Sequence, residues 1–166
     1  MKQAKRSRAL LVLLGCVAAL ALCAAAAMAL LLRVPAAQDV TIPGVRGGIP
    51  ATVQMPAKLA RAGEVPLVVL CHGFTGDRTA NGHFPTLAAK LAELGIATVR
   101  MDFAGCGSST EPYTEYSLAS MTDDVNSAIA FLQSEYGVDG AIGLVGHSMG
   151  GRLVSLYPQD GQYPVA

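Results

Sequence analysis

The chain has 166 residues, enough for about one domain, and 52% of them are hydrophobic. Twelve basic and twelve acidic side chains balance, which argues against a nucleic-acid-binding surface because such a surface carries a basic excess. Part of the apolar excess lies at the N-terminus, where residues 1–8 carry four basic side chains and residues 9–32 carry no charge. A helix over residues 9–32 would be roughly 36 Å long and could cross a ~30 Å hydrocarbon core.

Three interpretations of residues 9–32 compete. A retained signal anchor is favoured because the apolar run exceeds a usual signal-peptide core. A cleaved signal peptide is the second, because small residues near Ala24 to Ala29 suit a peptidase, and a buried core helix is the third. Residues 1–8 should stay cytoplasmic, so we expect a membrane or secreted location with the remaining chain outside the cytoplasm. Residues 33–38 are predicted to be a linker.

Residues 39–166 show the alternation of an α/β domain. Two β-prone pieces near Val40 and Thr52, separated by Gly47-Gly48, predict a hairpin. A continuous apolar run at 65–71 predicts a buried strand, and the stretches 96–102 and 141–145 predict two further strands. Helical spacing of apolar residues predicts helices after His83, over 117–136 and from about Met149. The order β-β-β-α-β-α-β-α favours a mostly parallel sheet with helices on both faces and a site beyond the carboxyl ends of its strands.

The stretch Gly146-His147-Ser148-Met149-Gly150 matches the pattern G-x-S-x-G after a predicted strand and before a predicted helix. This context is typical of a nucleophilic serine on a sharp turn, where side chains at the two glycine positions would clash. An acyl-transfer site also needs two backbone N–H donors for the oxyanion. Met149 is predicted to supply one, and Phe74, in the sequence His72-Gly73-Phe74 after an earlier strand, the other.

Other candidate chemistry is weaker. The loop Asp102 to Ser109 contains Gly105-x-Gly107 but lacks the third glycine of a dinucleotide loop, since position 110 is a threonine. No cysteine or histidine spacing suggests a metal, so we expect neither cofactor nor metal. The remaining pair Cys71 and Cys106 is best read as two buried residues, although the sequence cannot exclude that they pair.

The stretches "VVLCHGFTGDR", "VRMDFAGCGSS" and "LVGHSMGGR", in that order, resemble the first half of an α/β-hydrolase. They are most similar to serine esterases of the cinnamoyl and feruloyl type and to serine-peptidase-like and monoacylglycerol-lipase-like hydrolases. The resemblance implies that Ser148 is the nucleophile and that the Phe74 and Met149 N–H groups form the oxyanion hole. Ala104 and Cys106 replace residues common in the second motif, which should affect local packing only.

In the resembling family a triad acid and a histidine follow the serine on later strands. After Ser148 the only acid is Asp160, and there is no histidine. His147 adjoins the serine, His72 belongs to the oxyanion loop and His83 precedes a helix, so none is predicted to act as the base. We therefore expect a C-terminally truncated, membrane-anchored serine hydrolase acting on a small-molecule substrate, a carboxylic ester in the first place or else an amide. The alternatives are a non-catalytic membrane-anchored binding module, an inactive fragment, or a protein whose only working part is the N-terminal helix.

Overall fold

The computed structural model describes residues 15–28, 35–56 and 65–158, together with Tyr163 and Val165. The chain divides into two compact units, Met1–Arg33 and Val34–Ala166. In the first unit the described residues form helix α1, residues 15–28. As a helix these residues span ~21 Å, and no helix in the described parts of the chain is long and apolar enough to cross a membrane. The described residues therefore do not support the predicted transmembrane helix over 9–32, whose two ends lie outside them.

The second unit contains five strands and three helices of more than one turn among its described residues. The strands are β1 (Gln38–Pro43), β2 (Gly48–Gln54), β3 (Leu67–Cys71), β4 (Ala97–Met101) and β5 (Ile142–Gly146); the helices are α2 (His83–Glu93), α3 (Leu118–Tyr136) and α4 (Met149–Leu156). Every predicted strand and helix between residues 39 and 158 is thereby confirmed, with ends shifted by one or two residues. Because β1 begins at Gln38, the last residue of the predicted linker belongs to the sheet.

The sheet has the order β1-β2-β4-β3-β5. Strands β4, β3 and β5 are parallel, as their long helical crossovers require. The hairpin β1–β2 is confirmed, and β2 pairs antiparallel with β4, so the sheet is mixed rather than purely parallel. The strand before the serine, β5, pairs with β3 alone among the described strands and therefore lies at the edge of the described sheet.

Helices cover both faces of the sheet, as predicted. Alternate residues of a strand point to opposite faces, so Val69 belongs to one layer and Leu70 to the other. Val69 packs in the main core with α3 and α4, whereas Leu70 packs in a smaller core with Phe84 and Ala88 of α2. In the described sheet β3 therefore lies between β4 and β5 and is covered on both faces, with its carboxyl end next to that of β5.

A cluster of charges joins the hairpin turn to α3. The guanidinium of Arg46 donates to Glu111 at 2.9 Å and to Asp124 at 2.5 Å, and it lies 3.4 Å from Asp123. Asp124 is buried, and burial raises the pKa of its carboxyl to about 6. Nothing in the sequence pattern predicted this cluster, because Arg46 is 65 residues or more from each of its acidic partners along the chain.

Candidate active site

The predicted nucleophile lies on a tight turn between a strand and a helix. Strand β5 ends at Gly146 and helix α4 begins at Met149, so Ser148 occupies the position before the first helical residue. Its backbone has φ 55° and ψ −113°, a conformation that residues with a Cβ rarely adopt. The side chain is exposed. The predicted strand–turn–helix context of Ser148 is therefore present, with the backbone strain typical of such turns.

The two glycines of the motif allow this turn to pack against the chain. A Cβ on Gly150 would lie 2.0 Å from the carbonyl oxygen of Cys71, at the end of β3. A Cβ on Gly146 would lie 2.2 Å from the carbonyl carbon and oxygen of Gly150. The N–H of His147 donates to the same Cys71 oxygen at 3.0 Å. Only hydrogen fits at the two glycine positions, which is the physical reason for the spacing of the motif.

The loop after β3 contacts the serine turn. A Cβ built on Gly73 would lie 3.2 Å from the Cβ of Ser148 and 3.1 Å from Nδ1 of His147. The loop and the turn follow neighbouring parallel strands, so their carboxyl ends meet at one edge of the sheet. The structure thus brings together two motifs that lie more than 70 residues apart in the chain.

Hydrogen bonds set the orientation of the peptide between Gly73 and Phe74. The carbonyl oxygen of Gly73 accepts from Nδ1 of His72 at 2.7 Å and from the N–H of Gly76 at 3.1 Å. In a trans peptide the N–H points opposite to the carbonyl, so the Phe74 N–H is directed away from both donors. The N–H of Met149 belongs to the first turn of α4, where helical N–H groups have no partner within the helix.

His72 has a structural role in this geometry. Its Nε2 accepts from the N–H of Phe103 at 3.2 Å, so the proton of the neutral ring lies on Nδ1 and is donated to Gly73. The ring is fully buried and packs against the Phe103 ring at 4.8 Å between centroids. Burial lowers the pKa of His72. Both ring nitrogens are occupied, so this histidine is not available to take a proton from a serine.

The other two histidines line the same cavity as Ser148. His147 and His83 are exposed, and both line a cavity of about 530 Å³ that Ser148 also lines. Phe74 and Asp77 contribute further to its wall. Within the described residues, no hydrogen bond joins either histidine ring to Ser148. Asp160, the only acid after Ser148 in the sequence, lies outside the described residues.

The loop after β4 contains a buried carboxylate that the sequence did not mark. Asp102 accepts from the N–H of Arg78 at 2.7 Å and from the N–H of Ser108 at 2.8 Å, and it also accepts from Nη1 of Arg78. Ala104 and Cys106 are buried in the same loop, in agreement with a packing role. Arg78 ends the quoted stretch "VVLCHGFTGDR", but no local signal identified Asp102 as its partner.

Metal and thiol chemistry find little support in the described residues. Among them, no group of three or more His, Cys, Asp or Glu side chains could hold a metal ion. Cys71 and Cys106 are both buried and free, and burial raises the pKa of Cys71 to about 12. The interpretation as two small buried residues is therefore confirmed.

Comparison with known proteins supports the family that the motifs resemble. An uncharacterized 31.7 kDa protein of Escherichia coli is 38% identical over 97 residues, which are 57% of this chain and 33% of that protein. Protein phosphatase methylesterase 1 of Schizosaccharomyces pombe is 26% identical over 117 residues, which are 70% of this chain and 34% of that protein. The structure of Est1E from Butyrivibrio proteoclasticus with bound ferulic acid has a TM-score of 0.61 and 28% identity.

The chain spans about a third of these two curated relatives and 46% of Est1E, whose structure covers 71% of this chain. A family model described as the alpha/beta hydrolase fold matches residues 66–166, from the start of β3 to the last residue. On the strength of this match and of the geometry around Ser148, the chain belongs to the α/β-hydrolase family.

Proposed function

We propose that the chain carries the nucleophile and the oxyanion hole of a serine hydrolase that acts on small carboxylic esters. The observation that carries this proposal is the contact between the serine turn and the Gly73 loop. Ser148, which is exposed and has a strained backbone, lines one cavity together with Gly73 and Phe74, and the Met149 N–H belongs to the first turn of the helix that follows the serine. Preorganised N–H donors next to a nucleophile are what acyl transfer requires.

In the proposed reaction, Ser148 Oγ attacks the ester carbonyl carbon and its proton passes to a base. The Phe74 and Met149 N–H groups hold the resulting oxyanion, and the positive end of α4 adds to this stabilisation. The tetrahedral intermediate then collapses, the C–O bond to the alcohol breaks, and the base returns the proton to the leaving alcohol. Water hydrolyses the acyl-serine in the same way and restores Oγ–H.

We assign neither the base nor its acid to a residue of this chain. His72 has both nitrogens occupied, and neither His83 nor His147 is bonded to Ser148 within the described residues. The proposal for the substrate class rests on the relatives: one is named a methylesterase and another was solved with ferulic acid. Both names belong to ester chemistry, and the cavity of about 530 Å³ is of a size for a small molecule.

Labelling with a fluorophosphonate probe tests the nucleophile. We expect the full chain to become labelled on Ser148, as identified by peptide mass spectrometry, and Ser148→Ala to lose the label. Ser155→Ala is the matched control, since Ser155 is an exposed serine on the same helix that bonds only to the Gly151 carbonyl. Equal labelling of the unmodified chain and Ser148→Ala would contradict the assignment.

A non-catalytic binding module is the second candidate, favoured by the absence of any described hydrogen bond between a histidine and Ser148. Such a module would retain an ester analogue in the cavity without forming a covalent bond. Intact-mass spectrometry and equilibrium binding of the same ester distinguish the two candidates. Binding without added mass favours the module, and added mass on Ser148 favours the hydrolase.

We also propose that residues 9–32 attach the protein to a membrane with the hydrolase unit outside the cytoplasm. The uncharged run and the basic residues before it support this. Alkaline extraction of membranes tests it: the full chain should stay in the pellet, and a Leu20→Lys, Leu22→Lys variant should be released. Leu94→Lys, an exposed position in the second unit, should behave like the unmodified chain. Release of the unmodified chain would contradict anchoring, and an N-terminus shortened by cleavage would favour secretion.

A further inference from the structure

The loop Asp102 to Ser109 has no part in the proposed reaction, yet its first residue is among the most buried charges of the domain. Asp102 is 1% exposed and receives three hydrogen bonds, two of them from Arg78. A Cβ on Gly107 would lie 2.3 Å from the Asp102 carboxyl carbon, so the loop closes tightly around this carboxylate. A buried carboxylate so fully bonded holds a defined geometry.

Arg78 belongs to the segment that carries the predicted oxyanion-hole donor. Its Nε donates to Thr52 Oγ1 at 3.1 Å, while its backbone N–H and Nη1 donate to Asp102. Two residues earlier, the N–H of Gly76 donates to the Gly73 carbonyl, whose peptide bears the Phe74 N–H. The bonds of Arg78 therefore lie two residues from the N–H of Gly76, which donates the hydrogen bond that orients this peptide.

The other end of the same segment is tied to the next residue of the β4 loop. His72 accepts from the Phe103 N–H, so residues 72 and 78 are fixed to Phe103 and Asp102 respectively. Between these two ties Thr75 has φ 54°, a strained conformation for a β-branched residue. Such a conformation persists only where the surroundings hold both ends.

We propose that the Arg78–Asp102 ion pair is a positioning pair that aims the Phe74 N–H at the oxyanion. This inference rests on the proposed function of Phe74 and assigns the Asp102 to Ser109 loop a task in it. The guanidinium of Arg78 matters because its Nη1 donates to Asp102 and its Nε donates to Thr52 from one rigid plane. A lysine would keep the charge and the backbone N–H but would offer one flexible ammonium in place of these two fixed donors.

The test compares Arg78→Lys with Arg46→Lys in the full chain. Both changes replace an arginine of a partly buried ion pair of the same domain, and both side chains are 20% exposed. Arg46 binds α3 and the loop at Glu111, without a bond to residues 72–78. Two quantities are measured: the maximal rate constant of Ser148 labelling by the fluorophosphonate, and deuterium uptake of peptides covering residues 72–82 and 44–50.

We expect Arg78→Lys to slow maximal labelling about tenfold or more, since loss of one oxyanion donor lowers such rates by about 10²–10³. The probe concentration for half-maximal rate should stay unchanged, and uptake should rise in 72–82 only. Arg46→Lys should raise uptake in 44–50 and leave labelling unchanged. Unchanged labelling and uptake in Arg78→Lys would overturn the proposal. If even the unmodified chain is not labelled, the proposed nucleophile fails, and uptake alone decides: equal uptake in 72–82 overturns the positioning role.

Discussion

The turn after β5 and the loop after β4 both follow parallel strands, and both depend on glycine, but different forces hold them. The turn at Ser148 packs backbone on backbone, with Gly146 and Gly150 against each other and against Cys71. The loop at Asp102 closes around a carboxylate whose partners are an arginine and two backbone N–H groups. Steric fit therefore determines the first structure, and a buried charge determines the second.

Because of this difference, the two regions should be destabilised by different kinds of substitution. Adding one methyl group should damage the backbone-packed turn, whereas an isosteric loss of charge should not affect it. The charge-held loop should respond to both kinds of change, because its glycine contacts the carboxylate itself. The following substitutions test the distinction, beginning with the largest expected effect.

Gly150→Ala should be the most damaging change. The new Cβ would lie 2.0 Å from the Cys71 oxygen and 2.8 Å from the His72 oxygen, which are backbone atoms at the carboxyl end of β3 and directly after it. Because backbone must move, we expect a loss of at least about 4 kcal/mol in the free energy of unfolding, measured by urea denaturation. Gly151→Ala is the control, since its Cβ would approach only the Gly146 oxygen at 3.3 Å. Similar losses in both variants would contradict the steric account.

Gly107→Ala should lower the free energy of unfolding by about 3 kcal/mol. A residue with a Cβ is strained at φ 54°, and this Cβ would collide with the Asp102 carboxylate. Gly137→Ala provides the comparison, because Gly137 also has a positive φ, 64°, but no atom lies within 4 Å of its would-be Cβ. That control should lose only about 1 kcal/mol in urea denaturation. Equal losses would mean that the contact with Asp102 adds nothing.

Asp102→Asn changes the charge and keeps the shape. Arg78, whose side chain is 20% exposed, would lose its buried charged partner. We expect the free energy of unfolding to decrease by about 2 kcal/mol. Asp123→Asn serves as the matched change: this carboxylate is 49% exposed and lies 3.4 Å from Arg46, so its loss should cost below ~1 kcal/mol. Thermal or urea unfolding measures both, and an unaltered stability of Asp102→Asn would disprove the charge-held loop.

The smallest effect concerns pH and His72, which contacts both regions. Burial lowers its pKa in the folded state, so the unfolded chain binds the proton more readily. Stability from the neutral ring is complete above the unfolded pKa of 6.5 and decreases as the pH falls below it. When the pH falls from 7.5 to 5.5, the free energy of unfolding, measured by urea denaturation, should therefore decrease by about 1 kcal/mol more in the unmodified chain than in His72→Gln.

The pH dependence of His72 has to be taken as a difference between two variants, because a second buried group, Asp124, also binds a proton in this pH range. The raised pKa of Asp124, about 6, makes the folded state gain a proton in acid and acts in the opposite direction, but equally in both chains. His83→Gln, a change at an exposed histidine, should follow the unmodified chain. Parallel curves for His72→Gln and the unmodified chain would show that His72 does not titrate with folding.

Local patterns in the sequence were sufficient for the five strands and for α2, α3 and α4, but not for the one-turn helix Tyr113–Glu115. A continuous apolar run predicted β3, short strand-like stretches predicted β4 and β5, and apolar residues at helical spacing predicted α2 and α3. The helical spacing arises because one side of each helix is buried. The start of α3 after Ser117 reflects a capping bond from the Ser120 N–H to Ser117 Oγ, which is equally local. The transmembrane helix predicted over residues 9–32 finds no support in the described residues. Of that range the structure describes residues 15–28, which form a helix too short to cross a membrane.

The candidate site divides in the same way. The motif around Ser148 was readable because the two glycines, the serine and the strand before them are consecutive in the chain. The sequence also predicted that the His72-Gly73-Phe74 loop would lie at the same edge of the sheet as Ser148.

The sequence did not predict that Arg78 pairs with Asp102, that His72 bonds to Phe103, or that Arg46 faces Asp124. Those contacts join residues 24 to 78 positions apart, and their partners are chosen only when the sheet brings the loops together. The sequence itself therefore determined the local backbone geometry. Tertiary structure decided how the segment 72–78 is held in place, because its bonds to Asp102 and Phe103 form only when the folded sheet buries these groups side by side.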